Sequence, residues 1–318
     1  MKAELNGIGP WRLLEVVGSG ERATVYKALR EGAPPGSPFV AVKVLHAPLA
    51  ADPIMAEAFL ARGRAGLKLA RMEHPAIVPV LEVVPGPRPY IISELEDALA
   101  LERLMPERGR AKVPLEAGTN LVIAVLDALA AAANDRMVHG RLTPSDVLVR
   151  ADGLVRVTSF GQDIGRDGDA RADFLAVHRL CQSLGSPWLP EVDAWLDRLA
   201  AEETPWKDLR AARGAFPLAF TDYGQAGLER LVKNRRKKDQ KAAELAAAEA
   251  AGLPAPTRGG AAAGSSGSSA AGASKARRPK KPTPGEAEHA IRQARIVALS
   301  CAGAAPGRAR HGAGWPAG

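Results

Sequence analysis

The sequence predicts an α+β chain in which a β-rich N-terminal part is followed by a helical part. Short apolar–polar alternations interrupted by glycine and proline run from Trp11 to Leu95, the period of half-buried strands. An Ala/Leu-rich pattern from Leu115 to Met137 has the composition of a long helix. Between His139 and Gly161, HGRLTPSDVLVRADGLVRVTSFG, two β-prone runs, Val147–Val149 and Leu154–Val157, flank Asp152-Gly153, which is a hairpin signal. A hairpin there holds the polar loop before it close to the Thr-Ser-Phe-Gly after it.

Composition sets the outer bounds. The 318 residues, 46% of them hydrophobic, suffice for one large or two ordinary domains. Lys+Arg and Asp+Glu number 26 and 28 over residues 1–220, 7 and 5 over 221–252, and 10 and 2 over 253–318. The net charge of +8 therefore belongs to the C-terminal third. Two cysteines, Cys181 and Cys301, exclude a disulfide framework and a zinc site of the usual kind, and fit a reducing cytoplasm. The stretch MKAELNGIGPW has no apolar signal-peptide core, and no window approaches about 18 uninterrupted apolar residues. A cytoplasmic location is the expectation.

In the N-terminal part, residues 11–30 alternate on either side of Gly18-Ser19-Gly20 and read as two strands joined by a glycine turn. Glycines let backbone N–H groups approach an anion with no Cβ in the way. Phe39–Leu45 is a β-prone run with Lys43 inside it, and a lysine in an apolar strand needs an anionic partner because an unpaired buried ammonium is costly. From Asp52 to Met72, apolar residues fall at helical spacing (Phe59, Leu60, Gly63, Leu67, Ala70), and the pattern stops before His74-Pro75. Residues 78–84 and 89–95 give two more strands.

After the hairpin comes the short polar stretch QDIGRDGDARAD and then a helical pattern from Ala170 to Val177. Two short amphipathic helices are expected at 190–200 and 203–213, with Trp188, Trp195 and Trp206 as core anchors. Residues 225–252 have high helix propensity and carry a basic cluster, Lys233, Arg235, Arg236, Lys237, Lys238 and Lys241. The cluster suits an anionic surface, nucleic acid or an acidic partner, and a solvated helix face is the plainer reading. The lack of interleaved aromatics argues against sequence-specific nucleic-acid binding. From Leu253 onward the Gly/Ala/Ser/Pro run Gly259–Ala273 and the Arg/Lys/Pro segment Arg277–Pro284 read as a disordered tail with a short helix at Glu286–Leu299.

Taken together and in order, these features resemble the bacterial serine/threonine protein kinases. Gly18, Gly20 and Val25 match the glycine loop, with Ala23 in place of its third glycine; Val40-Ala41-Val42-Lys43 is similar to the strand that carries the nucleotide-binding lysine. Glu73–Val78 resembles the helix-to-strand junction, and Tyr90–Leu95 the strand into the interdomain hinge, with Ser93 at the gate of the adenine pocket. His139-Gly140-Arg141 and Ser159-Phe160-Gly161 stand where H-R-D and D-F-G belong. The resemblance implies a two-lobed protein-kinase-like fold: an N-lobe over residues 10–96, a reduced C-lobe over 97–220, a basic helical extension over 221–252 and a disordered tail over 253–318. It assigns nucleotide contacts to Gly18, Gly20, Val25, Ala41, Lys43, Glu94 and Leu95, a structural role to His139, and to Asp173 a brace on the catalytic-loop backbone.

The chemistry departs from the family at each working position. Arg141 replaces the catalytic Asp, Thr143 the phosphate-contacting Lys, Asp146 the metal-binding Asn and Ser159 the metal-binding Asp. The glutamate that clamps the lysine is due near Arg62, yet no acidic residue lies between Glu57 and Glu73. Only 11 residues separate Gly161 from Asp173, and no A-P-E occurs, so the peptide-docking segment is trimmed away. The expectation is a degenerate member, a pseudokinase, that scaffolds or regulates kinase or signalling proteins, with ATP bound weakly at most and without Mg2+. Two rival readings remain at this level. One is an atypical phosphotransferase or nucleotidyltransferase holding metal on Asp146, with Asp163 in second place; the favoured role of Asp146 is a cap on the Thr143–Asp146 turn. The other is an adaptor acting through its basic tail, residues 233–241.

Overall fold

Glycine and proline divide the first hundred residues into strands, and the periods between them set which side chains go inward. The computed structural model of the chain describes residues 6–105, 113–161 and 170–250. Residues 162–169, Asp163 among them, and the expected tail from Leu253 lie outside the described residues.

The sheet of the N-lobe has six strands in the order β1-β2-β3-β4-β6-β5. These are β1 (Gly7–Ile8), β2 (Trp11–Ser19), β3 (Ala23–Arg30), β4 (Val40–Leu45), β5 (Val80–Val84) and β6 (Tyr90–Glu94), all antiparallel to their neighbours. In β4, Val40, Ala41, Val42, Val44 and Leu45 are buried and Lys43 is half-buried, as befits a strand flanked on both sides. A short helix α1 (Ala47–Ala50) leads to α2 (Pro53–Ala70). Asp52 caps α2 by accepting hydrogen bonds from Ile54 and Met55, and Pro53 opens its first turn. Helix α2 lies close on the sheet because Gly63 and Gly66 face it: a Cβ on Gly63 would meet Val83 and Ile91 at 2.8–3.0 Å, and one on Gly66 would meet Val80 at 2.5 Å.

The C-lobe begins with β7 (Ala98–Ala100) and α3 (Leu101–Leu104), followed by α4 (Leu115–Asn134). Helix α4 is buried on nearly every side, Leu121, Val122, Val125, Leu126, Ala128 and Leu129 being completely inaccessible. It is long and apolar enough to span a membrane, and 78% of its most apolar window is packed inside the protein. A helix that is apolar all round is a core helix when it is enclosed in this way. Then come a 3-10 turn (Pro144–Asp146), the hairpin β8 (Val147–Arg150) and β9 (Val155–Val157), α5 (Ala170–Leu184), α6 (Pro190–Ala200), α7 (Leu209–Gly214) and α8 (Asp222–Ala250). Gly153 closes the hairpin with φ +79°, a left-handed conformation that favours glycine.

Three elements depart from the sequence reading. Strand β7 adds a third strand to the expected hairpin, giving the order β7-β8-β9, and β1 extends the first sheet. The helix expected at 203–213 starts only at Leu209. Pro205 disrupts the turn before it, and the Asp208 carboxylate caps the helix by accepting from the Ala211 N–H at 2.8 Å.

Helix α8 starts at Asp222 and runs back over α4. Leu228 and Val232 are 1% exposed, and Gly224 and Gly227 sit against Asn120 and Ala117 with no room for a side chain at Gly224. Asn120 fixes the start of the helix, donating to the Thr221 carbonyl at 2.6 Å and accepting from the Thr221 N–H at 3.0 Å. Further along, Arg236 pairs with Asp97 at 2.5 Å and Asp239 with Arg103 at 2.6 Å, so α8 is also tied to the segment that joins the lobes.

Candidate functional site

The loop from His139 is held by a carboxylate that recognises backbone. Asp173, 1% exposed, accepts hydrogen bonds from the His139 N–H at 2.9 Å and the Gly140 N–H at 2.8 Å. Burial pushes its carboxyl above the ordinary value, and the two N–H groups pull it back part of the way. The inaccessible ring of His139 bonds through Nε2 to the Thr158 carbonyl at 2.9 Å and packs on Phe160 with ring centroids 5.1 Å apart. Gly161 N–H donates to the Val138 carbonyl at 3.1 Å. Loop and Ser-Phe-Gly are thereby stitched together from both sides.

That stitching holds Ser159 at φ +67°, an uncommon conformation for a non-glycine residue. Phe160, 3% exposed, is the anchor that keeps it there. The result aims Ser159 across the cleft, where its Oγ accepts a hydrogen bond from Lys43 Nζ at 3.2 Å. Burial lowers the pKa of the Lys43 ammonium; the negative charge of Asp146 opposes this, and the positive charge of Arg62 adds to it. The positive charge of Arg62, at the place where the resemblance calls for a glutamate, is thus felt at Lys43. Glu57 is exposed and paired with Arg64, one helical stretch further along α2.

Asp146 is buried and serves as a cap. Its Oδ2 accepts from the Thr143 N–H at 3.0 Å and the Thr143 hydroxyl at 2.7 Å, closing a capping box around the 3-10 turn. A Mg2+ ion asks for several hard oxygens in near-octahedral order. Among the described residues that need is not met: Ser159 offers a neutral hydroxyl already held by Lys43, and Asp146 has one oxygen committed twice. Among the described residues no three His, Cys, Asp or Glu side chains gather for a metal. Arg141 is exposed at the position of the family's catalytic Asp.

On the other side of the cleft, Val25 lies opposite both Gly18 and Lys43 in the sheet, and Ala41 pairs with Ser93. Gly20 N–H turns back to the Ala23 carbonyl at 3.0 Å, closing the glycine turn. Val25, Ala41 and Lys43 therefore share one face of the sheet, Gly18 and Gly20 lie at its glycine-turn end, and Glu94 and Leu95 lead out of it at the other end into the hinge. The hinge carries a clasp that the sequence reading missed. Glu96, whose side chain is 7% exposed, takes Arg156 at 2.6 Å and Arg150 at 3.4 Å, and Arg156 also reaches Glu94 at 3.3 Å. Leu148, the cross-strand partner of Arg156, shares its face, opposite the buried Val147 and Val149. The signal was present: arginines alternate with valines in both hairpin strands and face the acidic run Glu94-Leu95-Glu96-Asp97.

The lobes also meet behind the lysine. After His74-Pro75 the chain runs beside β9, Val157 N–H donating to the Ala76 carbonyl at 2.7 Å and Val78 N–H to the Val157 carbonyl at 3.0 Å. A glycine-turn sheet with its lysine, a helix lying on it, a hinge and a braced loop in a helical lobe define the two-lobed fold of the protein kinases. A family model described as protein tyrosine and serine/threonine kinase matches residues 11–174, and the chain belongs to that family. It is 34% identical to the serine/threonine-protein kinase PknL of Mycobacterium bovis over 149 residues, which cover 46% of this chain and 35% of that protein. It is 32% identical to the serine/threonine-protein kinase Pkn1 of Myxococcus xanthus over 222 residues, 59% of this chain and 30% of that one. The chain thus spans about a third of the length of these relatives. Among solved structures, the kinase domain of Mycobacterium tuberculosis PknI superposes with a TM-score of 0.55 at 22% identity, covering 67% of this chain and 98% of that domain.

Proposed function

We propose that this chain is a catalytically inactive member of the family, a pseudokinase that binds nucleotide weakly without metal and acts as a scaffold or regulator of kinase or signalling proteins. The observation that carries the proposal is the hydrogen bond from Lys43 Nζ to Ser159 Oγ at 3.2 Å. In an active kinase the lysine is clamped by a glutamate and the position of Ser159 is an aspartate on Mg2+. Here the lysine is held by a neutral hydroxyl, the positive charge of Arg62 is felt where the family has a glutamate, and the Asp146 carboxylate has one oxygen committed to the Thr143 turn. The Arg141 guanidinium offers only N–H donors and cannot accept a substrate proton.

The retained frame supports a binding role. In this reading Gly18, Gly20, Val25, Ala41 and the hinge at Glu94 and Leu95 form the walls of a purine site. The outer face of α8 supports a second contact, to an acidic or other anionic partner: Lys233, Lys237, Lys238 and Lys241 are exposed, whereas Arg235 and Arg236 turn to Asp239 and Asp97.

The test is label transfer. The full chain is incubated with γ- or α-labelled ATP, with Mg2+ or Mn2+, alone and with a generic Ser/Thr peptide pool. The expected result is no incorporation above that of a Lys43→Met control. Metal-dependent incorporation that disappears in Asp146→Ala would overturn the proposal and favour an atypical transferase.

A further inference from the structure

Helix α8 is buried where it starts and charged in its middle turns. Between those turns and the end of β8 lies an open cavity of about 270 Å³. Val232, 1% exposed, and Ala151 give it an apolar wall, and Lys233, Arg236 and Lys237 line it with positive charge. Glu229 is the acid among the lining residues, so three cations against one acid leave an excess of two positive charges.

The cations are held in two different ways. Arg236 is anchored: its guanidinium donates to the two Asp97 carboxylate oxygens at 2.5 and 3.4 Å, and the Asp97 carbonyl accepts from the Ala151 N–H at 3.0 Å. A guanidinium has five N–H donors, so this pairing fixes its plane and leaves donors for a second anion. Lys233 and Lys237 are exposed and make no ion pair among the described residues. They are four residues apart, a spacing at which like charges destabilise a helix and an anion between them removes the repulsion.

One fixed guanidinium beside two rotatable ammonium groups is a donor set for a phosphoryl dianion. A carboxylate, with one charge and two oxygens, answers only part of it. The cavity has room for a phosphoryl group and the short carbon stem that carries it, and the Val232 and Ala151 wall suits the stem. No aromatic side chain lines it for a nucleic-acid base to stack on, and Glu229, Asp239 and Glu244 interrupt the basic face that an anionic membrane would need. We infer that this cavity binds a phosphorylated serine or threonine in a peptide of a partner protein, Arg236 orienting the phosphoryl group and Lys233 and Lys237 neutralising it. The inference rests on the signalling role proposed above and adds the chemistry of the partner.

Binding of the full chain is measured by biolayer interferometry on immobilised degenerate peptides with a fixed central phosphoserine, beside the same pool with Ser and with Asp at the centre. The phosphorylated pool is expected to bind at least about tenfold more tightly than either, the scale of one charged hydrogen bond or two, with affinity falling as salt is raised. Lys233→Ala and Lys237→Ala are each expected to weaken it by about fivefold or more, and Lys237→Arg to retain it. Lys238→Ala and Lys241→Ala, on the same helix but outside the cavity, are expected to change it by under about twofold. All four lysines are exposed, so the variants are expected to melt with the wild type. Equal binding of the Ser or Asp pool, equal losses in all four alanine variants, or no binding at all would overturn the site. So would stronger binding of duplex DNA or of phosphatidylserine-containing vesicles than of the phosphorylated pool, or displacement of the peptides by an equal concentration of inorganic phosphate. Any of these failures leaves the inactive-kinase reading standing, whereas label transfer from ATP would overturn that reading without altering the peptide affinities.

Discussion

Asp173 is the residue on which the loop frame depends most directly, and Asp173→Ala measures it. The substitution leaves the His139 and Gly140 N–H groups, bonded to it at 2.9 and 2.8 Å, inside the protein without an acceptor. Each orphaned donor costs about 1–3 kcal/mol, and relief of the desolvated carboxylate returns part of the sum. A net loss of about 3 kcal/mol lowers the Tm of a folded body of this size by about 6–12 °C. Circular dichroism melts at fixed pH read the shift, with Glu57→Ala as a control, because that exposed ion pair is worth under about 1 kcal/mol. A second readout comes from pH. Burial raises the Asp173 carboxyl in the folded state above its ordinary 3.8, so folding favours the protonated form. The carboxyl's contribution is fully present below that ordinary value and is lost as pH rises through the folded one. The stability gap between wild type and Asp173→Asn is therefore expected to be wider near pH 4 than at pH 7. An Asp173→Ala shift no larger than that of Glu57→Ala, or a gap that widens as the pH rises, refutes the reasoning.

Further outcomes follow from single contacts. Lys43→Met is expected to raise the Tm at pH 7 by a few degrees, about 1 kcal/mol, because it removes a desolvated ammonium that feels the charge of Arg62; since burial lowers the Lys43 pKa, the advantage shrinks as the pH is raised toward 10.5. Gly66→Ala should destabilise by about 1–3 kcal/mol despite the better helix propensity, because its Cβ would sit 2.5 Å from a Val80 methyl; urea titration distinguishes this from the stabilisation of about 1 kcal/mol that propensity alone predicts. Leu228→Ala should cost about 2–5 kcal/mol, whereas Arg236→Ala should cost under about 1 kcal/mol; similar losses for the two would mean that α8 is held by its ion pairs instead of its apolar face.

What could be read from the sequence was what is local. The strand around Lys43, the stop at His74-Pro75 and the Asp152-Gly153 hairpin each follow from a period or a turn residue within a few positions. The missing glutamate was equally legible, since no acid falls between Glu57 and Glu73. Strand β7 was not, because three residues, Ala98–Ala100, are too few to show a period and their pairing with β8 is a tertiary event. Gly224 and Gly227 look like weak points in a helix, and their reason, close approach to Asn120 and Ala117, appears only once α4 is in place. The clasp of Arg150 and Arg156 on Glu96 likewise depends on bringing together residues more than fifty positions apart.

The brace and the chemistry prove to be separable for a physical reason. The groups that hold the loop bind backbone: Asp173 takes the His139 and Gly140 N–H groups, His139 takes the Thr158 carbonyl, and Asp146 takes the Thr143 N–H. Backbone is the same whatever side chain it carries, so Arg141 and Ser159 can occupy catalytic positions without loosening the frame. The reverse change should then be tolerated as well. In Arg141→Asp/Ser159→Asp the second aspartate enters a conformation with φ +67°, which Asp adopts more readily than most residues, and faces the Lys43 ammonium in place of a hydroxyl. The double variant is expected to keep or exceed the wild-type Tm and still to transfer no label from ATP, because Arg62 stands where the family has a glutamate. Adding Arg62→Glu tests that last step, with Mg2+-dependent binding of ATP as the expected gain. Unfolding of the double variant would mean that the frame relies on the very side chains by which this chain departs from the family's motifs, and the separation of brace from chemistry would fail.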